Sequence, residues 1–342
     1  MRRRFAALGV ILLLAAGCAR HGAVPPPASP TPFPTPAVPP TYSVLNGTVV
    51  PPHSGDHRIA AVMIDNYPVD TRPQSGLHDA DIVYEAEAEG GITRYMALFL
   101  EHTPAKVGPV RSARLYFVDL ARPYDPFFAH AGENDDVWGP LKDLREGGFA
   151  DMDQIVGTPE AFWRDDTRYM PHNLYTSIPK IRATAPLYNY PDRPFVQPAF
   201  AFYEDPPPKG PLPDAVFTFW RDYTVRFHAI GGTYERIIGG VVQHDLGDAR
   251  PYAVSDIIAV WIPARVLDAI GDLSMEVYGK FPAVLIHDGK ALAGQWIEPG
   301  PNALPQLVDA KGAPLALTPG QIYIEVLPQG GTLKNGKNIW SY

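Results

Sequence analysis

The chain has 342 residues, 37 acidic and 29 basic side chains, a formal net charge of -8 and one cysteine. Such acidity argues against nonspecific nucleic-acid binding and offers nothing to anionic lipid headgroups. The lone thiol, Cys18, excludes a disulfide framework and a Cys-ligated zinc, so the folded part must rely on its core.

The chain opens MRRRF, then AALGVILLLAAGC. An Arg-rich start, a short apolar run and small residues before the break form a secretory signal over residues 1–17. The run is short for a bilayer span. Ala15, Ala16 and Gly17 before Cys18 resemble a bacterial lipobox. Cleavage there would put acyl chains, palmitate among them, on Cys18 and anchor the chain outside the cytoplasm. Ordinary secretion, with Cys18 a bystander, is the plainer alternative. Residues 18–57 then read as the lipidated cysteine and a Pro-rich tether containing PPPASPTPFPTPAVPP. Polyproline geometry, at about 3.1 Å per residue, would let its densest twenty residues reach roughly 60 Å. A docking peptide for an envelope protein partner is the other reading of that composition.

An α/β or α+β domain is expected over residues 58–202. Residues 59–64 form a strand ending at Asp65-Asn66, and 81–89 and 92–100 form two strands joined by Gly90-Gly91. Residues 126–131 read as a buried strand, and 137–145 and 177–185 as helices. A Pro-rich junction follows over 203–214. Residues 215–342 read as a mainly antiparallel β domain, with period-two runs at 216–219, 224–227, 257–262, 273–278, 283–286 and 322–327. One short helix is expected around 264–270.

The densest charge lies in EAEAEGGITRYMALFLEHTPAKVGPVRSAR. A two-residue hairpin would set Glu89 opposite Ile92, Glu87 opposite Arg94 and Glu85 opposite Met96, with the three glutamates and Arg94 on one face. A solvated strand face is the plain alternative. Downstream, Gly108-Pro109 makes a turn and Ser112 is placed to cap a helix beginning near Leu115. Arg111 and Arg114 at that helix start oppose its dipole, unless an anion sits among them. The anion can come from outside, or from Glu85, Glu87 or Glu89 as an internal network. Other candidates are Asp65 and Asn66 at a strand end, His130 in FFAHAGEND, Arg164 in WRDD, and His172 and Asn173 in PHNLY. Asp65, His130 and His172 have no ligand spacing, and a structural role is the plainer reading of each histidine. No cofactor or metal fingerprint is present.

The runs AVMIDNYPVDTRPQSGLHDADIVYEAEAEGGITRYMALF, VGPVRSARLYFVDLA, HAGE, FWRD, PHNLYTS and LTPGQIYIEVLP resemble the YerB-like family of bacterial lipoproteins. That family is described as a domain of unknown function with N- and C-terminal parts. The resemblance implies an envelope lipoprotein with two domains and brings no established activity. ITRYMALFLEHTPAKVGPVRSAR also bears a fainter likeness to the LytR–CpsA–Psr phosphotransferases, which would place Arg111 where their phosphate-gripping arginine lies. Thr93-Arg94 and Ser112 stand where that family carries aspartates.

The expected function is therefore a membrane-anchored envelope lipoprotein binding an anionic cell-wall or lipid-phosphate ligand through Arg94, Arg111 and Arg114, with the glutamates orienting them. One alternative is a phosphotransferase-like or hydrolytic enzyme, with a glutamate, Asp65 or His130 as base. Another is a protein-interaction scaffold anchored by Trp261, Trp296 and Trp340.

Overall fold

A computed structural model describes residues 41–206, 213–247 and 249–342. The signal, Cys18 and the tether up to residue 40 lie outside the described residues, as does half of the Pro-rich junction, 207–212. The fold begins earlier than residue 58. Short strands Thr41–Tyr42 and Val49–Val50 pair with each other, Leu45 is fully buried, and Asn46 Nδ2 donates to Asp81 at 2.7 Å. Residues 41–57 thus belong to the folded body rather than to the tether.

The first part is α/β. Strands β1 (Ala60–Asp65), β2 (Ile82–Glu89) and β3 (Ile92–Phe99) are followed by helix α1 (Leu115–Ala121). Strand β4 (Phe127–His130), helix α2 (Asp135–Glu146), strand β5 (Asp151–Asp153) and helix α3 (Ile178–Thr184) come next. The second part is strand-rich and mainly antiparallel: β6 (Ala215–Thr218), β7 (Thr224–Ile230), β8 (Thr233–Ile238), β9 (Val254–Trp261), β10 (Gly279–His287), β11 (Lys290–Glu298) and β12 (Gln321–Leu327). No helix forms at 264–270. Ala264–Val266 is a strand, and Asp268 Oδ1 then accepts the N–H groups of Ile270, Gly271 and Asp272 in a tight loop.

One sheet runs through both parts in the order β5-β4-β1-β3-β2-β12-β9-β8-β7-β6. The joint is β12, parallel to β2 on one side and to β9 on the other. Helical crossovers suit the parallel pairs β1–β4 and β4–β5, and hairpins suit the antiparallel ones. Both sheet faces are covered, so central strands are apolar at every position rather than alternating. In β1, Ala61 and Met63 enter one core with Phe117 of α1 and Trp296. Ala60, Val62 and Ile64 enter the other, with Ile178 of α3 and Phe217. Trp261 and Trp296 are core residues, 2% and 0% exposed, and Trp340 packs half-buried, so none of the three projects as an interface anchor.

Candidate functional site

The C-terminal ends of parallel β1 and β4 face the same edge, where α/β sheets commonly bind ligands. Residues 107–111 run across that edge as a strap. Asp65 N–H donates to Pro109 O at 2.8 Å, Arg111 N–H to Met63 O at 3.0 Å and Val110 N–H to Leu174 O at 2.7 Å. The strap thereby joins the end of β1, which carries Asp65, to the strand Leu174–Thr176, which follows His172. Gly108 is required at the crossing. Its φ is +144°, and a Cβ there would lie 2.9 Å from Leu174 O.

Asp65, His172 and Arg111, far apart in sequence, meet on this frame. Asp65 is 2% exposed. Its Oδ1 accepts Tyr67 N–H at 2.9 Å, and its Oδ2 accepts His172 Nδ1 at 2.7 Å. Arg111 Nε lies 3.2 Å from the same Oδ2. Tyr67 stacks on the imidazole with ring centroids 5.1 Å apart and planes 12° apart. Donation from Nδ1 selects the tautomer of the neutral ring in which Nε2 carries the lone pair. That Nε2 and the two terminal nitrogens of Arg111 make no hydrogen bond among the described residues and remain open to solvent.

Arg94 and Arg114 are spent internally. Arg94 donates to Glu89 Oε1 at 2.5 Å and to Ser112 O at 2.9 Å. Arg114 donates to Glu89 Oε2 at 2.6 Å and to Asp272 Oδ1 at 3.2 Å. Arg94 is 2% exposed. Burial and the charge of Arg114 pull it down to about 10, with Glu89 opposing and Arg111 adding to the fall. Ser112 does not cap α1. The cap position is Arg114, and Ser112 Oγ accepts from the Arg114 guanidinium instead.

The expected single face of three glutamates and Arg94 does not form. Glu89 pairs with Ile92 as anticipated, but a bulge between Glu87 and Glu89 shifts the register, so Glu87 faces Thr93, Glu85 faces Tyr95, and Arg94 faces Ala86. Only Glu89 reaches Arg94 and Arg114. Glu87 accepts the backbone N–H of Trp220, and burial pushes its carboxyl up to about 7 against that N–H and Arg221. Glu85 joins a buried network with Asn66, Thr93 Oγ1, Tyr223 OH and Arg236. Asn66 is likewise internal, holding Arg72 Nε at 2.8 Å. Glu325, opposite Glu85 in the β2–β12 register, has its carboxyl pushed far up by burial and by Glu85. Arg236 and Glu325 escaped sequence reasoning. Their signal was charge inside an otherwise apolar strand, the adjacent Glu235 and Arg236 in TYERII and the lone Glu325 in IYIEVL.

His130 is a buried structural cation. Nδ1 donates to Gly132 O at 2.9 Å and Nε2 to Asp151 Oδ1 at 2.6 Å. Burial pulls its pKa down, but Asp151, their hydrogen bond and Asp153 outweigh it and raise it to about 9. His130, Glu133 and Asp153 can each bring one atom within 4.8 Å of the others. With both ring nitrogens donating, His130 has no lone pair for a metal. Arg164 and Asn173 pair with each other at 2.8 Å in the ribbon of Phe162–Arg164 and Leu174–Thr176.

The structure thus defines a protein with an α/β first part and a strand-rich antiparallel second part, joined through one sheet. The N-terminal and C-terminal models of the family described as "Protein of unknown function (DUF3048)" match residues 45–190 and 215–324, and the chain belongs to that family. It is 31% identical to YerB of Bacillus subtilis (strain 168) over 97% of this chain and 98% of that protein, whose description as a lipoprotein is itself an inference. The crystal structure of YerB protein from Bacillus subtilis superposes with a TM-score of 0.76 at 29% identity, covering 86% of this chain and all of that one. These comparisons do not support the fainter likeness to LytR–CpsA–Psr phosphotransferases. Among the described residues, no helix is long and apolar enough to cross a membrane.

Proposed function

We propose that this chain is a lipoprotein of the bacterial cell envelope, anchored outside the cytoplasm through acylated Cys18, and that it binds an anionic phosphate or glycan-phosphate ligand at Arg111. The lipid reading is supported by the leader and lipobox-like run before Cys18, and by similarity to a relative described in those terms. The observation that carries the binding reading is the guanidinium of Arg111. Its Nε lies in ion-pair contact with Asp65 without a hydrogen bond, its side chain is 29% exposed, and neither terminal nitrogen bonds to a described residue, which leaves the planar fork that suits a phosphate oxygen pair. Arg94 and Arg114 are positioning residues in this reading. They hold Ser112 and Ala113, the residues that follow the strap, and add positive potential behind Arg111.

Calorimetric titration of the full chain with diethyl phosphate tests the binding. Arg111→Ala is expected to weaken it roughly tenfold or more, the loss of charge-assisted hydrogen bonds. Equal affinity in Arg111→Ala and parent would end this reading. Separately, Cys18→Ala is expected to move the chain from the membrane fraction to the soluble one on cell fractionation, and retention on the membrane would refute the anchor.

A further inference from the structure

We propose that the same rim hydrolyses phosphodiesters, with His172 as general base. The inference rests on the anion-binding reading and deepens it. The two clustered histidines of this edge differ in the decisive respect. His130 is fully buried and both its nitrogens are consumed, as a structural histidine requires. His172 has Nδ1 consumed by a buried carboxylate and Nε2 free at the surface. Asp65 is itself fixed by Tyr67 N–H, and its backbone carbonyl accepts from Gln74 Nε2 at 3.0 Å. Tyr67 covers one face of the imidazole. A buried carboxylate that orients Nδ1 and leaves Nε2 outward is the arrangement a general base needs. Arg111 touches the same carboxylate oxygen, so the base and the anion-holding fork share one anchor.

The charge count selects the substrate. One guanidinium is open, and it lies beside the Asp65 carboxylate, which repels a second negative charge. A singly charged phosphodiester fits that balance better than a doubly charged monoester. Arg111 binds the non-bridging oxygens and stabilises the charge that shifts onto them in the transition state. Water attacks phosphorus. His172 Nε2 takes the water proton as the new P–O bond forms. The P–O bond to the leaving alcohol breaks, and the departing oxygen receives that proton. Diester and water become monoester and alcohol, with no change of oxidation state. Asp65 is a positioning residue that keeps the tautomer and stabilises the imidazolium.

The full chain, anchor included, is assayed in detergent micelles with bis(p-nitrophenyl) phosphate. His172→Gln is expected to lower kcat by roughly 10²–10⁴-fold while diethyl phosphate still binds. Asp65→Asn is expected to lower kcat by a larger factor than it raises KM, since Arg111 also leans on that carboxylate, and free imidazole is expected to restore part of the rate in His172→Ala. Two further arms locate the diester. Cleavage of phosphatidylglycerol vesicles marks a lipid headgroup, and cleavage of a soluble glycerol phosphate polymer marks a wall polymer; either supports the proposal. A parent chain that binds diethyl phosphate but cleaves none of the three substrates overturns the catalytic inference and leaves binding intact. A parent chain that binds nothing removes both. Parental turnover in His172→Gln, or no rescue of an otherwise folded His172→Ala, overturns the role of His172.

Discussion

Glu89 illustrates how much rests on single side chains. One carboxylate, 19% exposed, neutralises two guanidiniums that are almost fully buried. Removing it leaves buried Arg94 without a carboxylate and Arg114 with Asp272 alone, so Glu89→Gln is expected to cost on the order of 3–5 kcal/mol in denaturant melts. Adding Arg94→Met and Arg114→Met to an apolar Glu89→Leu should recover much of that loss. His130 carries the opposite lesson in pH. Its pKa is raised in the folded state to about 9, so the stability it contributes is fully present below the ordinary imidazole range and is lost as pH rises through 9. The size is on the order of 3 kcal/mol, from about 1.4 kcal/mol per unit. Melting temperature between pH 6 and 9.5 should fall more steeply for the parent than for His130→Gln. Glu87 is likewise raised, to about 7, so its contribution is present below the ordinary carboxyl range and is lost as pH rises through 7. Glu87→Gln still accepts Trp220 N–H, and it should flatten that lower window while leaving the upper one in place.

The strap is the element that turns distant residues into a site. Gly108→Ala is expected to destabilise the fold by about 1–3 kcal/mol and to weaken diethyl phosphate binding, because the backbone there is strained for any other residue and its Cβ would meet the carbonyl beside His172. Unchanged melting and affinity would refute the strap's role. Most strands were legible, since apolar runs bounded by Gly and Pro mark them, and Gly90-Gly91 does close a tight hairpin with both residues at positive φ. The faces were less so. Strict period two puts Glu85, Glu87 and Glu89 together, whereas one extra residue in the bulge sends Glu89 to the opposite side from the other two. Arg94, Arg111 and Arg114 were found as a cluster. Which of them stays open was not readable, because it depends on Asp272, a residue 158 positions from Arg114. The partnership of Asp65 and His172 was equally hidden, for it spans 107 positions and needs the strap between them.

At the scale of the molecule, the two parts that separate family models match are not independent bodies. β2 of the first part and β9 of the second both lean on β12, so cutting the chain leaves each piece with a raw sheet edge. Calorimetry should therefore show one unfolding transition, and a fragment of residues 41–206 should not fold alone. Two resolved transitions would contradict this. The late position of β12 also orders events in time. A ribosome delivers this polypeptide from the amino end, yet the strand that knits its middle closes only at Leu327 of 342. Until that strand emerges, the nascent thread has no seam to zip, and a chain broken off before Gln321 would forfeit the whole architecture rather than a tail.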